Sequence, residues 1–333
     1  MKHRSRILPI CLVPLFGLAI WRSDLVVSGA KDGISLCLQV IIPAIFPFLF
    51  LSMLLCSCWT GMDVAILRPL CRITGIPSSE QSILLFALIG GYPVGAQVVT
   101  QSYRNGRITL HQAKRLLAFC NNAGPSFIFG LIGTIFESAL APVLLWLIHI
   151  GSALAVGILL PNKRTIAHSA VTGKKENVSQ ILLRSVKTTG AICGWVVLFR
   201  IVIAMIDERI IVQNPVIRAV VIGCTELSNG CVMLSNITSE PDRFVVASGL
   251  LAAGGLCVAL QTVSVTDSIG LGCYLPGKLL QICISLVAAT IAGTVIYHEQ
   301  MSYLTIIPSI AVIIFTLAVI KRKNSSIFFE NDI

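Results

Sequence analysis

Residues 116–130 read LLAFCNNAGPSFIFG. A run this apolar is a helix candidate, yet Asn121-Asn122 and Gly124-Pro125 interrupt it near its middle. Proline lacks the N–H that a helix interior needs and clashes with the turn before it. The residue preceding it is pushed out of the helical region. The stretch therefore reads as a helix that stops and then restarts at Pro125. In water such a break is an ordinary turn. In a bilayer its freed backbone groups are tolerated only where protein or a water-filled cavity meets them.

Composition decides which solvent applies. The chain has 333 residues, 55% hydrophobic and 12% charged, where soluble domains carry roughly 25% charged residues. Its mean hydropathy is +0.87. Apolar runs at 139–160, 244–266, 279–297 and 304–320 reach or approach the roughly 20 residues that cross a bilayer. Those at 82–103, 116–136 and 210–236 are also long enough. The fold class is an all-α polytopic membrane protein, with the lipid bilayer as its first partner. Residues 7–21 read as a retained first span, because Arg22 and Asp24 follow with no small-residue cleavage site at hand; a cleaved leader is the alternative.

The net charge of +10 is not a nucleic-acid signature. Lys and Arg cluster at the N-terminus, at 104–115, at 163–187 and at 321–323, which is the positive-inside pattern of cytoplasmic loops. The 12 cysteines are scattered mostly singly through the spans, where Cys acts as a small hydrophobe. No CxxC pair occurs, so metal and cofactor are not expected.

Two apolar stretches are odd. Residues 30–59 contain Pro43 and Pro47, and 178–206 contain TTGAICG. If every stretch crossed once, the basic loops could not all lie on one side. Treating 30–59 and 178–206 as re-entrant hairpins restores parity, with about eight transmembrane helices and both termini cytoplasmic. The chain then divides into an N-terminal helix (1–29), a first hairpin-plus-broken-helices repeat (30–137), a linking helix and loop (138–177), a second, inverted repeat (178–268) and C-terminal helices with a basic tail (269–333). The breaks correspond: GGYPVGA (90–96) with TELSNG (225–230), and NNAGPS (121–126) with GGLCVALQ (254–261). Paired interruptions in two halves point to a transporter's midplane site.

GYPVGA at 91–96 followed by LLAFCNNAGPSFIFG resembles the sporulation integral membrane proteins of the YlbJ (SpoVV) type. These carry gate-type "nucleoside recognition" repeats and are distantly similar to concentrative nucleoside transporters. The resemblance covers roughly 30–297 and is looser in the second half, around Glu226-Leu-Ser-Asn229-Gly230 and Gly254-Gly255 to Gln261. The family pattern favours Ser and His where this chain has Cys257 and Ala259. The resemblance implies transport of dipicolinate, a planar aromatic dicarboxylate, across a membrane around the forespore.

The residues favour a small anionic substrate by their own chemistry. A restarted helix exposes N–H groups carrying about half a positive charge, Asn121 and Asn122 add amide donors, and Pro125 suits the first helical position. Gly91, Tyr92, Gly124 and Ser126 belong to the same breaks. Helix–helix bonding is the competing role for the two asparagines. Glu226, deep in a span, is a coupling candidate for a proton or cation, or a partner for Arg200; Asn229 stands beside it. Gly254 and Gly255 allow close backbone approach, and Gln261 and Gln97 are polar lining or helix contacts. His149 reads as a hydrogen-bonded packing residue. GCYLPGK (272–278) fits G-x-x-x-x-G-K but lacks the following Ser or Thr and its strand–helix context. It reads as a cytoplasmic turn, with Lys278 a positive-inside lysine. No hydrolase motif or acid–base constellation appears, so the chain does not read as an enzyme. A nucleoside carrier and a non-transporting sporulation assembly factor are the alternatives; a homo-oligomer is left open.

Overall fold

In the computed structural model, the residues described are 13–14, 16–58, 64–161, 177–207, 213–266, 269–297 and 310, excluding the side chains of 44, 48, 52, 56, 126 and 207. The span expected at 304–320 apart from residue 310, the basic cluster at 321–323, residues 7–12 and 15 of the expected first span and residues 163–176 of the basic loop lie outside this set. Among the described residues all regular structure is helical.

After helical residues 16–21, helix α1 (Ser23–Leu36) passes through a wide turn at Cys37–Ile41 into α2 (Ile42–Cys58). Pro43 opens α2 and Pro47 lies inside it. Each removes a ladder donor, and the axis bends by 52° around the first of them. A short helix, α3 (Arg68–Thr74), follows and ends at left-handed Gly75. Then come α4 (Gln81–Ile89) and α5 (Val94–Arg104), separated by Gly90–Pro93. Helix α6 (Leu110–Cys120) starts with a Thr109/Gln112 capping box, which satisfies two orphan donors reciprocally. It stops at 121–124 and restarts as α7 (Pro125–Phe127), continuing helically to Ile135. The first half closes with α8 (Leu140–Leu159).

The remaining helices form the second half. A long helix, α9 (Val178–Asp207), precedes α10 (Pro215–Thr225) and α11 (Leu227–Met233). Next are α12 (Glu240–Ala253) and α13 (Gly255–Thr266), broken at Gly254, and then α14 (Tyr274–Tyr297).

Two expectations are corrected here. First, 178–206 is one continuous helix, and 30–59 bends without reversing. The two run antiparallel: a Cβ added at Gly29 would stand 2.9 Å from Ile201 Cα, one at Gly33 2.9 Å from Val197 Cα, and the Cys37 thiol donates to the Cys193 carbonyl at 3.7 Å. Single glycines cost a helix only about 1 kcal/mol each, so TTGAICG alone cannot turn the chain. Gly190 and Gly194 face open space. Gly190→Ala and Gly194→Ala are therefore expected to stabilise the protein by about 0.5–1 kcal/mol each, read as a raised midpoint of thermal unfolding. A re-entrant turn at these glycines would instead lose stability.

Second, the reversals fall where crossings were expected. Buried Ser102 donates to Glu80 at 2.5 Å, although 22 residues separate them, a distance of about 33 Å in a straight helix. The segment 82–103 is therefore a helical hairpin with its tip at Gly90–Pro93, where Gly91 has φ +74°. Its open end is fastened by Arg107 on Glu80 at 3.4 Å. Likewise α10 and α11 fold back at Glu226, so that a Cβ on Gly230 would strike the Gly223 backbone.

Among the described residues, four helices are long and apolar enough to cross a membrane: Leu140–Leu159, Val178–Ile206, Glu240–Thr266 and Tyr274–Tyr297. The bent pair Ser23–Ile41 and Ile45–Leu55 makes a fifth if it is counted as one span. The expected spans at 7–21 and 304–320 lie wholly or partly outside the described residues, so the count of eight crossings is not reached among them. Large apolar side chains such as Leu147, Ile158, Leu183, Ile291 and Val295 remain exposed on their outer faces, as lipid contact requires. The chain is a multi-pass integral membrane protein.

Candidate binding site

The two hairpin tips and the two helix breaks meet in one place. Gly91 of the first tip lies against Gly124 of the first break: a Cβ on Gly124 would be 2.9 Å from Gly91 Cα. Gly255 of the second break lies against the second tip, its Cβ position 2.7 Å from the Gly223 carbonyl. Tyr92 bridges the halves. Its hydroxyl donates to the Leu251 carbonyl at 3.0 Å and abuts Gly254, which has φ +70°. Glycine is needed at Gly254 and Gly255, since both have positive φ beside backbone or a ring.

At this junction sits Lys278, only 3% exposed. Its ammonium donates to Gln281 Oε1 at 2.8 Å, the Tyr92 hydroxyl at 3.2 Å and Asn122 Oδ1 at 3.4 Å. Because the Tyr92 O–H is committed to Leu251, its oxygen can only accept. Three acceptors thus match the three N–H groups of an ammonium. The rings of Tyr92 and Tyr274 flank the charge, with centroids at 5.0 and 5.8 Å, within the range of cation–π attraction. Among the described residues no carboxylate pairs with Lys278. The cluster is therefore a buried positive charge solvated only by neutral oxygens.

The asparagines divide their work. Asn122 donates to the carbonyls of Phe119 at 2.7 Å and Ala87 at 3.2 Å, and its oxygen also accepts from Gln281 at 3.1 Å. It fastens the break to the first hairpin while facing the charge. Asn121 donates to Thr262 Oγ1 at 2.8 Å, tying the first break to α13. Its own Oδ1 and the Tyr274 hydroxyl lie beside each other and beside Thr262, without a bond of good geometry. Both side chains are buried, at 0% and 1% exposure. His149 accepts the Ala123 N–H on Nε2 at 3.0 Å, which satisfies one donor of the broken segment; its carbonyl takes the Gln281 amide at 3.2 Å.

The second tip carries a separate network. Glu226 caps α11, accepting the backbone N–H of Ser228 at 3.0 Å and of Asn229 at 2.8 Å. The side-chain amide of Asn229 donates to Glu226 at 2.7 Å, and its oxygen accepts from Arg200 at 2.5 Å. Arg200 finds its carboxylate in Asp32 at 3.4 Å. A direct Glu226–Arg200 ion pair is therefore replaced by a relay through Asn229, because the carboxylate points back at its own helix start.

Of the expected site residues, Asn121, Asn122, Gly91, Tyr92, Gly124 and Gly254 gather around Lys278. Glu226, Asn229, Arg200 and Gly255 gather at the second tip. Gln261 turns along its own helix to the Cys257 sulfur at 3.3 Å, and Gln97 donates to Thr188 of α9 at 2.9 Å. The Ser126 side chain lies outside the described residues. Sequence reasoning missed Lys278, Gln281, Tyr274 and Thr262. Lys278 was placed in a cytoplasmic turn; α14 instead starts at Tyr274 and carries Lys278 into the interior, where Gly277 lets it approach α6, its Cβ position 2.5 Å from the Ala118 carbonyl. The available signal was a polar pair three residues apart, Lys278 and Gln281, on one helical face.

No family model matches the chain, and no solved structure matches it. Among curated proteins it is similar to the sporulation integral membrane protein YlbJ of Bacillus subtilis (strain 168), with 28% identity over 206 residues. The match covers 52% of this chain and 50% of that protein, so the chain spans about half the length of the curated relative.

Proposed function

We propose that the protein is a secondary transporter of a small organic anion, dipicolinate, working in sporulation by alternating access. The observation that carries this reading is Lys278, a buried ammonium at the first hairpin tip and the first break, with three neutral acceptors and, among the described residues, no carboxylate. An intramembrane charge of this kind marks a substrate or ion pathway, and its missing partner is an anion. Tyr92 and Tyr274 on either side suit a planar aromatic acid. The order of long helix, hairpin and broken helix, present twice, supports two halves rocking around a fixed midplane site. Sporulation comes from the name of the Bacillus relative, and dipicolinate from the resemblance of the 91–96 and 116–130 motifs. The reading leaves the protein without an enzymatic step; its Glu226–Asn229–Arg200 relay holds the second tip.

The test is dipicolinate uptake into proteoliposomes containing the purified chain. Asn122→Ala is expected to slow uptake about tenfold or more, since Asn122 holds both the break and the charge and one hydrogen bond to a charged group is worth roughly 1.5–3 kcal/mol. Asn121→Ala, which cuts the tie to Thr262, is expected to slow it less. Uptake at the wild-type rate in both variants contradicts the site.

A further inference from the structure

Resting on the anion-carrier reading above, the geometry points to a route into the site: the polar seam between α5 and α9 is the path by which the anion passes between the cytoplasm and Lys278. Helices α2 and α13 each pack against both α5 and α9 and flank the seam. Helical proteins build ligand sites from side chains on facing helices, and these two helices face each other with polar ones. Gln97, Gln101 and Arg104 share one face of α5, and Thr188 and Arg184 share one face of α9. They meet in antiparallel register. The Gln97 amide donates to the Thr188 hydroxyl at 2.9 Å, and the Arg184 guanidinium donates to Gln101 Oε1 at 2.9 Å.

Two features separate this seam from ordinary bonding between membrane helices. The first is surplus polarity. Gln97 Oε1 and the hydroxyl of Thr189, beside Thr188, are buried atoms that have no hydrogen-bond partner among the described residues, and Thr189 is only 6% exposed. Buried polar atoms are satisfied by protein or by water, so a seam with an acceptor and a hydroxyl left over is one that water enters. The second is charge. Helices α2, α5, α9 and α13 carry no Asp or Glu apart from Asp207, at the far end of α9. Arg184 and exposed Arg104 stand at the opposite end, next to the basic loop. A passage without acids and with cations at its mouth draws anions in.

The inner end of the seam reaches the site. The Gln97 N–H bonds the Pro93 carbonyl at 3.1 Å, so Gln97 stands one helical turn from the tip whose Tyr92 accepts from Lys278. Flanking helix α13 carries Thr262, which takes the Asn121 amide at 2.8 Å. An anion leaving Lys278 toward the basic loop thus meets the Gln97 amide and the two threonine hydroxyls, and then Arg184.

The experiment places Gln97→Cys and Thr188→Cys separately in the full chain. Membrane vesicles are treated with an anionic, membrane-impermeant methanethiosulfonate, and labelling is read as added mass on the peptide holding the new thiol. The thiolate is the reacting form, and it forms in water rather than in lipid or a dry helix contact. Gly151→Cys, where nothing lies within 4 Å of an added Cβ, is the lipid-facing control. In inside-out vesicles both seam cysteines are expected to label about tenfold or more faster than the control, because apolar surroundings hold a thiol from its thiolate. Dipicolinate is expected to slow that labelling, and right-side-out vesicles are expected to show only the control rate. Labelling at the control rate from the inside overturns the path. So does equal labelling from both sides, or labelling that dipicolinate leaves unchanged. Thr188→Cys barely changes side-chain size, so it decides alone if Gln97→Cys does not fold. Labelling requires no transport: a wild type that takes up no dipicolinate overturns the carrier reading, and is told apart from a dry seam.

Discussion

Lys278→Met is expected to abolish dipicolinate uptake while leaving the protein folded and at least as resistant to heat. Among the described residues the ammonium is the cluster's only formal charge, so its loss removes at least one charged hydrogen bond to a bound carboxylate, about 1.5–3 kcal/mol or a tenfold to hundredfold loss of affinity. Stability should move the other way. A buried charge without an ionic partner carries a desolvation cost, and replacing buried charges by apolar residues of similar volume is often neutral or stabilising by roughly 1–4 kcal/mol. Unchanged or raised heat resistance with lost uptake identifies a functional lysine. A lysine that merely fastens Tyr92, Asn122 and Gln281 together predicts the reverse pattern, in which Lys278→Met melts early and transports in proportion to the folded fraction. Thermal unfolding of the purified protein, measured beside uptake, separates the two.

Gly95→Val is the second large effect. Helix α5 touches α6 backbone to backbone at this point, and a Cβ on Gly95 would strike the carbonyl of Cys120, with Asn121 Cα 3.1 Å away. Neither obstacle is the free end of a side chain, so the hairpin leg itself must move. Overpacking of this kind costs about 1–3 kcal/mol and occasionally more, and here the displaced backbone leads directly into Asn121 and Asn122. The expected result is low yield of folded protein, with no uptake from the fraction that survives. Gly151→Ala, where nothing lies within 4 Å of the added methyl, is the matched control and should behave as wild type. Equal yields for the two variants contradict the contact between α5 and α6.

The residues that announced themselves in the sequence were those whose chemistry is local. Pro125 forces a restart, and the structure places it at the first helical position after four non-helical residues. The Gly90–Pro93 and Glu226 interruptions were likewise legible as breaks. Their angles were not. A straight break and a reversal use the same glycines and prolines, and what distinguishes them is a partner far along the chain: Ser102 on Glu80, or Gly223 against Gly230. That ambiguity moved the hairpins to 30–59 and 178–206, where loop charge counting alone had put them. Lys278 was lost for a related reason. A charge at the edge of an apolar run reads as the end of the span, whereas α14 begins four residues before it, at Tyr274. Only its packing against the first break and tip reveals that it faces inward. The Glu226–Arg200 pairing failed at the level of side-chain geometry. Asn229, three residues beyond Glu226, meets both groups and stands between them.

The central claim is that this junction binds an anion through Lys278, and thermal stabilisation of the purified protein by added ligand tests it most directly. Dipicolinate should raise the unfolding midpoint progressively with concentration, as a ligand that binds only the folded state must. Uridine should not, and Lys278→Met should lose the dipicolinate response. No shift with dipicolinate, a shift with uridine alone, or an undiminished dipicolinate shift in Lys278→Met would contradict the account.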